Sequence, residues 1–234
     1  MKSGQHISHQ FDEEIEQLKG SVLSMGGLVK EQLENAVKAL LSNDKGLAEN
    51  VVESDVHVNT YDVEIDERST RLIALRQPAA IDLRLIMSVL KVTNDLERIG
   101  DEAKRIARLA MDVSIKGTLP EFYDSIEHMS VRVKIMLDRS LDAFARVDTE
   151  EAFKVINLDR KVDKEYENLM RQQITYMMED PRSIPASLDL LWAAKALERI
   201  GDRSCNICEY IIYLVKGKDI RHIDIDELED HLEH

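Results

Sequence analysis

Apolar side chains recur every three or four residues along most of this chain, from about residue 10 to residue 216. Spacings that alternate between 4 and 3 place them on one face of an α-helix that packs in a bundle. One such stripe is Leu85, Val89, Val92, Leu96, Ile99, Ala103, Ile106 and Ala110. The same register, 101 residues further along, is Leu190, Ala193, Leu197, Ile200, Ser204, Ile207 and Ile211, and Leu214 continues it.

The stripe is repeated together with a motif. The segment Leu96–Asp101 reads Leu-Glu-Arg-Ile-Gly-Asp and recurs residue for residue as Leu197–Asp202. An internal repeat of this length determines the architecture, because each copy forms one structural unit. The chain of 234 residues is therefore predicted to hold two similar units of roughly half its length.

Helix-breaking and helix-capping residues also fall at matching places. Asp44 and Asp148, 104 residues apart, can each cap a helix start, and Glu151 is placed to complete a capping box with Asp148. Prolines at 78, 181 and 185 oppose helix continuation, and Gly117 and Gly217 stand where a helix C-terminus favours glycine. The predicted helices are residues 11–42, 44–76, 80–115, 120–146, 149–179 and 184–216.

These helices are joined by short connections, which favour antiparallel neighbours in a bundle. The predicted fold is all-α, with two tandem, similar three-helix bundles. We expect the first unit to span residues 1–117 and the second residues 118–217. Residues 218–234 are charged and poor in apolar positions, and we expect a loosely ordered tail there.

The composition narrows the range of partners. The formal net charge of −14 argues against nucleic-acid binding, which needs a basic face, and is compatible with a cation or a basic protein partner. No apolar run approaches the roughly 18 residues that span a bilayer, and the first ten residues lack the apolar stretch of a signal peptide. We therefore expect a cytoplasmic protein that does not itself span the membrane.

The repeated motif carries a pair of carboxylates. Residues four apart share a helix face, so Glu97 lies beside Asp101 and Glu198 beside Asp202. At about 100° per residue, both pairs point away from the apolar stripe of their helix. Like charges at this spacing repel weakly, and a bound cation would reverse the sign of that interaction.

The second helix of each unit offers matching ligands. Asp55 and Asp159 interrupt its apolar register, and Asn59 and Asp163 follow four residues later. A buried charge is costly unless it is paired or binds a metal. These oxygens, facing the third helix, would surround a cation with hard ligands.

Ion pairing is the alternative to a metal. Arg98, Arg105 and Arg108 flank the first motif, and Arg199 and Arg203 flank the second, so the carboxylates could form salt bridges on a solvated face. The repetition of the motif in both units raises the metal hypothesis to equal standing, and the sequence leaves both open.

An enzyme is poorly supported. A di-iron bundle needs Glu-x-x-His steps, and the chain contains none. A metal-dependent carboxylate-bundle hydrolase or oxidase is the alternative function.

Cys205 and Cys208 form a C-x-x-C without the further ligands of a zinc site, and Lys104 and Ala107 hold the matching positions of the first unit. We therefore expect them to be two small helix residues.

Several segments resemble the PhoU family, the accessory and regulatory proteins of bacterial phosphate-specific transport systems. The resemblance rests on Gln77–Arg84 (Gln-Pro-Ala-Ala-Ile-Asp-Leu-Arg), on Asp95–Asp101, and on Leu197–Asp202 followed by Asn206–Glu209. It extends over essentially the whole chain.

The resemblance implies a negative regulator, often a homodimer, that acts when phosphate is plentiful. Such a protein links the phosphate ABC transporter, through its ATPase subunit, to the sensor histidine kinase of the phosphate regulon, and it restrains uptake. The resemblance also implies iron, zinc, manganese or magnesium on the acidic motifs. Their positions here are Glu97, Asp101, Glu198 and Asp202, with Asp55, Asn59, Asp159 and Asp163 opposite. Since Asn59 replaces a carboxylate, the two sites are expected to differ in affinity.

Overall fold

The protein is entirely helical in the part that the structure, a computed structural model, describes, which is residues 3–111 and 120–217. The predicted all-α class is thereby confirmed. The described residues form six successive α-helices: α1 (Ser3–Ser42), α2 (Lys45–Arg76), α3 (Ala80–Met111), α4 (Pro120–Arg146), α5 (Thr149–Glu179) and α6 (Ile184–Lys216). A short 3₁₀ turn, Pro181–Ser183, precedes α6.

Most helix ends match the sequence prediction. The carboxylates of Asp44 and Asp148 accept hydrogen bonds from the backbone N–H groups of Leu47 and Glu151, so both caps are confirmed. Gly217 ends α6 in the left-handed conformation at φ 69°, as expected for a glycine at this position. The predicted stop at Gly117, the boundary between the units and the tail at 218–234 lie outside the described residues.

Two local predictions need correction. The first helix begins at Ser3 rather than at residue 11. The Glu151 side chain does not complete a capping box, because its carboxylate accepts a hydrogen bond from Arg139 on α4 instead. A guanidinium partner forms a charge-assisted hydrogen bond, which is stronger than the one that the helix N-terminus offers.

Within each unit the three helices pack against one another, and helices that are consecutive in the chain run antiparallel. In the first unit the Arg76 guanidinium, at the end of α2, donates two hydrogen bonds to Glu14, near the start of α1. In the second unit Arg132 on α4 donates to Glu165 on α5. The predicted stripe is buried from Val89 to Ala110 on α3, and its counterpart is buried from Leu190 to Leu214 on α6.

The two units contact each other through two antiparallel helix pairs. α3 packs against α6, and α1 packs against α4. Ion pairs cross both contacts, among them Arg203–Asp95 between α6 and α3 and Lys30–Asp138 between α1 and α4. The buried residues form one continuous core through both units. Among the described residues, no helix is long and apolar enough to cross a membrane.

Candidate functional site

Each unit has an acidic face where its second helix meets its third. The glycine of the repeated motif lets these helices approach closely, because a side chain there would meet the facing residues. A β-carbon at Gly201 would lie 3.1 Å from Asp159 Oδ1 on the second helix of its unit. One at Gly100 would lie 3.4 Å from Val58 Cγ1 and 3.8 Å from Asp55 Oδ1 on the second helix, and 3.2 Å from Gln32 Oε1 on the first. The glycine therefore places the carboxylates of the second helix directly against the third helix.

In the second unit three predicted ligands converge. Asp159 and Asp163 of α5 and Asp202 of α6 each offer a carboxylate oxygen, and these oxygens lie within 4.8 Å of one another. Oxygens on opposite sides of a hard cation, each bound at roughly 2.0–2.6 Å, lie roughly 4–5 Å apart. The three carboxylates are thus close enough to share one cation.

The fourth predicted ligand of this unit, Glu198, has a different partner. Its Oε1 atom accepts a hydrogen bond from the ammonium of Lys195 at 2.5 Å, one turn earlier on α6. The Lys195 ammonium also lies 5.1 Å from the centre of the Tyr166 ring, which holds it on the rim of the face. Glu198 is therefore a neighbour of the three aspartates rather than a member of their cluster.

The surroundings of this cluster disfavour the ionised form of its carboxyl groups. Burial, together with the charges of Asp163, Asp202 and Glu198, raises the pKa of Asp159 to about 7. Burial and the charges of Glu198 and Asp163 raise the pKa of Asp202 to about 6. In addition, the Oδ1 atom of Asp159 is buried and lacks a hydrogen-bond partner among the described residues. The charges of Lys195 and Arg203 lower the pKa of Asp202, but burial and the neighbouring carboxylates outweigh them, so the described side chains compensate the negative charge of the cluster only in part.

In the first unit an ammonium lies between the equivalent helices. Lys104 Nζ donates to Asp55 Oδ2 at 2.5 Å and to Asp101 Oδ1 at 2.7 Å. Asn59 donates to the same Asp55 oxygen at 3.4 Å. Burial by itself lowers the pKa of Lys104, but its hydrogen bonds to Asp101 and Asp55 outweigh that effect and raise it. The ammonium is therefore charged and links α2 to α3.

The alternative to a metal, ion pairing, thus holds in the first unit. The cation of these pairs is Lys104, which was not among the residues predicted from the sequence. Two of the predicted arginines pair across the interface between the units instead, Arg199 with Glu102 and Arg203 with Asp95. The available signal was the difference between Lys104 and Cys205 at equivalent positions of the repeat. This difference in charge indicates Lys104 as a candidate internal cation of the first face.

Glu97, the remaining predicted ligand, is half-buried. Burial, followed by the charges of Asp101, Asp62 and Asp55, raises the pKa of its carboxyl. Asp62 was not among the predicted ligands, although it continues the register of Asp55 on α2. The two cysteines are buried and free, as expected for small helix residues.

Fold and site together define a class of protein: a duplicated three-helix bundle with an acidic face on each copy, suited to holding positive charge. The chain belongs to the PhoU family, since the PhoU domain matches residues 22–110 and 126–211, one match for each unit.

Relatives cover almost the whole chain. One from Pseudomonas aeruginosa, a phosphate-specific transport system accessory protein PhoU homolog, is 47% identical over 97% of this chain and 94% of its own length. The phosphate-specific transport system accessory protein PhoU of Escherichia coli is 48% identical over 96% of this chain and 92% of its own length.

Solved structures agree with this assignment. The crystal structure of PhoU from Pseudomonas aeruginosa matches with a TM-score of 0.86 at 47% identity, covering 89% of this chain and 100% of the other. The phosphate transport system regulatory protein PhoU from Streptococcus pneumoniae matches with a TM-score of 0.83 at 33% identity, covering 89% and 98%. The predicted arrangement of two tandem bundles is confirmed.

Proposed function

We propose that this chain is an accessory protein of a phosphate-specific transport system, which restrains phosphate uptake and phosphate-regulon signalling when phosphate is plentiful. The observation that carries the proposal is its similarity, over nearly the full length of both chains, to proteins with that name. The comparisons give the alternative, a metal-dependent carboxylate-bundle enzyme, no support, because these relatives are named as accessory proteins.

The proposed partners are the sensor histidine kinase of the phosphate regulon and the ATPase subunit of the phosphate ABC transporter. Both would be met at the cytoplasmic side of the membrane. None of the described helices is long and apolar enough to span it.

We propose a homodimer as the working form. Light scattering of the purified protein tests this proposal, because it measures the molecular mass in solution.

The functional proposal is tested in the host by deleting the coding sequence and following a phosphate-starvation reporter in phosphate-rich medium. We expect the reporter to be derepressed and to return to its repressed level when the intact chain is supplied again. A variant with Arg171→Ala, which loses only an exposed ion pair with Glu167, is expected to complement as well as the parent. Repression that persists without the chain would contradict the proposal.

We also propose that the acidic face of the second unit binds a divalent or trivalent cation, such as iron, zinc, manganese or magnesium. Support comes from the convergence of Asp159, Asp163 and Asp202 and from the unpartnered Oδ1 atom of Asp159. A cation there would compensate the charge that raises the pKa values of these carboxyls and would link α5 to α6. Metal content of protein purified without chelators or a nickel column tests this part of the proposal.

A further inference from the structure

We infer that Lys104 is a built-in cation that fills the acidic face of the first unit, so that an added metal ion binds only in the second unit. The inference rests on the proposed binding of a cation by the second unit, and it concerns how many sites the chain offers.

The position of the ammonium supports this inference. Lys104 Nζ joins a carboxylate of the second helix, Asp55, to a carboxylate of the third helix, Asp101, which is the link that a bound metal ion would make. The Lys104 side chain is only 17% exposed and that of Asp55 only 8%. A metal ion between these carboxylates would have to expel the ammonium and break two charge-assisted hydrogen bonds.

The remaining residues of the first unit do not favour that exchange. Asn59, at the position of Asp163, provides a neutral amide, and its Nδ2 group already donates to Asp55. The exposed fraction of the Asp101 side chain is 53%, so water competes for the oxygen that Lys104 does not use. The Lys104 ammonium and the Asn59 amide thus occupy carboxylate lone pairs that a metal ion would need as ligands.

The second unit differs at the decisive position. Cys205 replaces Lys104, and a cysteine side chain carries no positive charge. The nearest lysine on α6, Lys195, pairs with Glu198 instead of the aspartate cluster. Asp163 adds a carboxylate where the first unit has Asn59. Both faces thus have four carboxylates, since Tyr166 stands at the position of Asp62, and the second face differs in lacking the internal cation.

The test counts manganese ions per chain. Metal-free full-length protein is titrated with Mn²⁺, and bound and free ion are separated by electron paramagnetic resonance. We expect one ion per chain for the parent, none for Asp202→Asn, two for Lys104→Met, and one for the double variant Lys104→Met/Asp202→Asn. Lys154→Met, which removes a lysine whose side chain is 60% exposed, is the matched control and should bind one ion.

The outcomes separate the two proposals. Two ions in the parent and one in Asp202→Asn would overturn the inference and leave metal binding intact, because the first unit would then accept Mn²⁺ despite Lys104. One ion in both the parent and Lys104→Met would also overturn it. Failure of every variant to bind Mn²⁺ would instead overturn the proposed cation binding.

A second measurement examines Lys104 without any metal. In chelator, Lys104→Met leaves Asp55 buried without its counter-charge, and we expect the melting temperature to fall by about 5 °C. Adding Asp55→Asn to that variant should recover most of the loss, because the amide carries no charge. Equal melting temperatures for Lys104→Met and the parent would overturn the role assigned to the ammonium.

Discussion

At the scale of single residues, the two acidic faces differ because a few positions diverged after duplication. Lys104 and Gln32 lie beside the first face, whereas Cys205 and Met136 hold the corresponding positions beside the second. Asp159 therefore has neighbours that neither donate strong hydrogen bonds nor carry positive charge. Burial without compensation favours the protonated form of a carboxyl, as the pKa of about 7 for Asp159 reflects.

This shift predicts how the metal-free protein responds to pH. With its pKa raised from 3.8 to about 7, Asp159 holds a proton in the folded protein that the unfolded chain releases. Its contribution to stability is therefore neutral below about pH 4, becomes increasingly unfavourable between about pH 4 and about pH 7, and is constant above that range. In chelator, we expect Asp159→Asn to melt roughly 3–6 °C above the parent at pH 8 and close to it at pH 4.

Thermal unfolding followed by circular dichroism at both pH values measures this difference. Asp142→Asn is the control, since Asp142 is exposed and pairs with Arg146 one turn away on the same helix. The control variant should keep the pH response of the parent. A parallel pH response of Asp159→Asn and the parent would show that the carboxyl is solvated and its pKa ordinary.

The sequence could predict which carboxylates matter but not how each is satisfied. Asp55 was identifiable because it interrupts an apolar register, and its exposed fraction of 6% confirms that it lies in the core. The contrast between Lys104 and Cys205 marks the position, but the acceptors of the Lys104 ammonium could not be assigned, because a long flexible side chain reaches many acceptors and helical spacing does not select among them. The convergence of Asp159, Asp163 and Asp202 depends on how two helices pack, which periodicity describes only coarsely.

At the scale of helices, the links between the first and second helix of each unit share one backbone conformation. Asn43 and Val147, 104 residues apart, both have a φ of 54°, directly before the capping residues Asp44 and Asp148. Asparagine tolerates this left-handed region, whereas a β-branched residue is strained there. The second unit therefore contains strain at Val147 that the first avoids.

Exchanging the two residues tests this difference. We expect Asn43→Val to lower the free energy of unfolding by about 1–2 kcal/mol, the cost of a strained backbone residue. Val147→Asn should raise it by less, about 0.5–1 kcal/mol, because Val147 packs against the core and the variant loses part of that contact. Urea unfolding at constant m-value measures both changes.

Val56→Asn is the control for the loss of a valine side chain. Val56 lies within α2 with an exposed fraction of 59%, so its replacement should leave stability within about 0.5 kcal/mol of the parent. An unchanged midpoint for Asn43→Val would mean that the link relaxes to another conformation.

Helix ends were predictable here because Asp, Pro and Gly act locally, whereas the strain at Val147 follows from closing the turn between two packed helices.

At the scale of the whole molecule, the contact between the units is built around one buried carboxylate. Asp95 of α3 is 2% exposed and accepts hydrogen bonds from Arg203 and Tyr210 at 2.9 Å and from Asn206 at 3.4 Å, all on α6. Ala196 holds the corresponding position of the second unit, so the network is one-sided. It could not be read from the repeat, because the repeat describes each unit separately.

Removing this carboxylate is expected to weaken the contact between the units and not only the total stability. Asp95→Ala leaves the guanidinium of Arg203 without its counter-charge at a site where its side chain is 23% exposed, and breaking such a pair costs about 3–5 kcal/mol. Because one core runs through both units, we expect the parent to unfold in a single cooperative transition. In the variant, the two units should separate into two transitions, which differential scanning calorimetry resolves as a van't Hoff enthalpy well below the calorimetric enthalpy.

Two further variants distinguish this effect from general destabilisation. Tyr210→Phe removes a single hydroxyl from the same network and should cost about 1 kcal/mol without splitting the transition, since Arg203 still neutralises the carboxylate. Val133→Ala, at a fully buried position within the second unit, should lower stability by about 2–3 kcal/mol while leaving one transition. If Asp95→Ala also melts in one transition, then the continuous apolar core couples the units, and the ionic network only orients them.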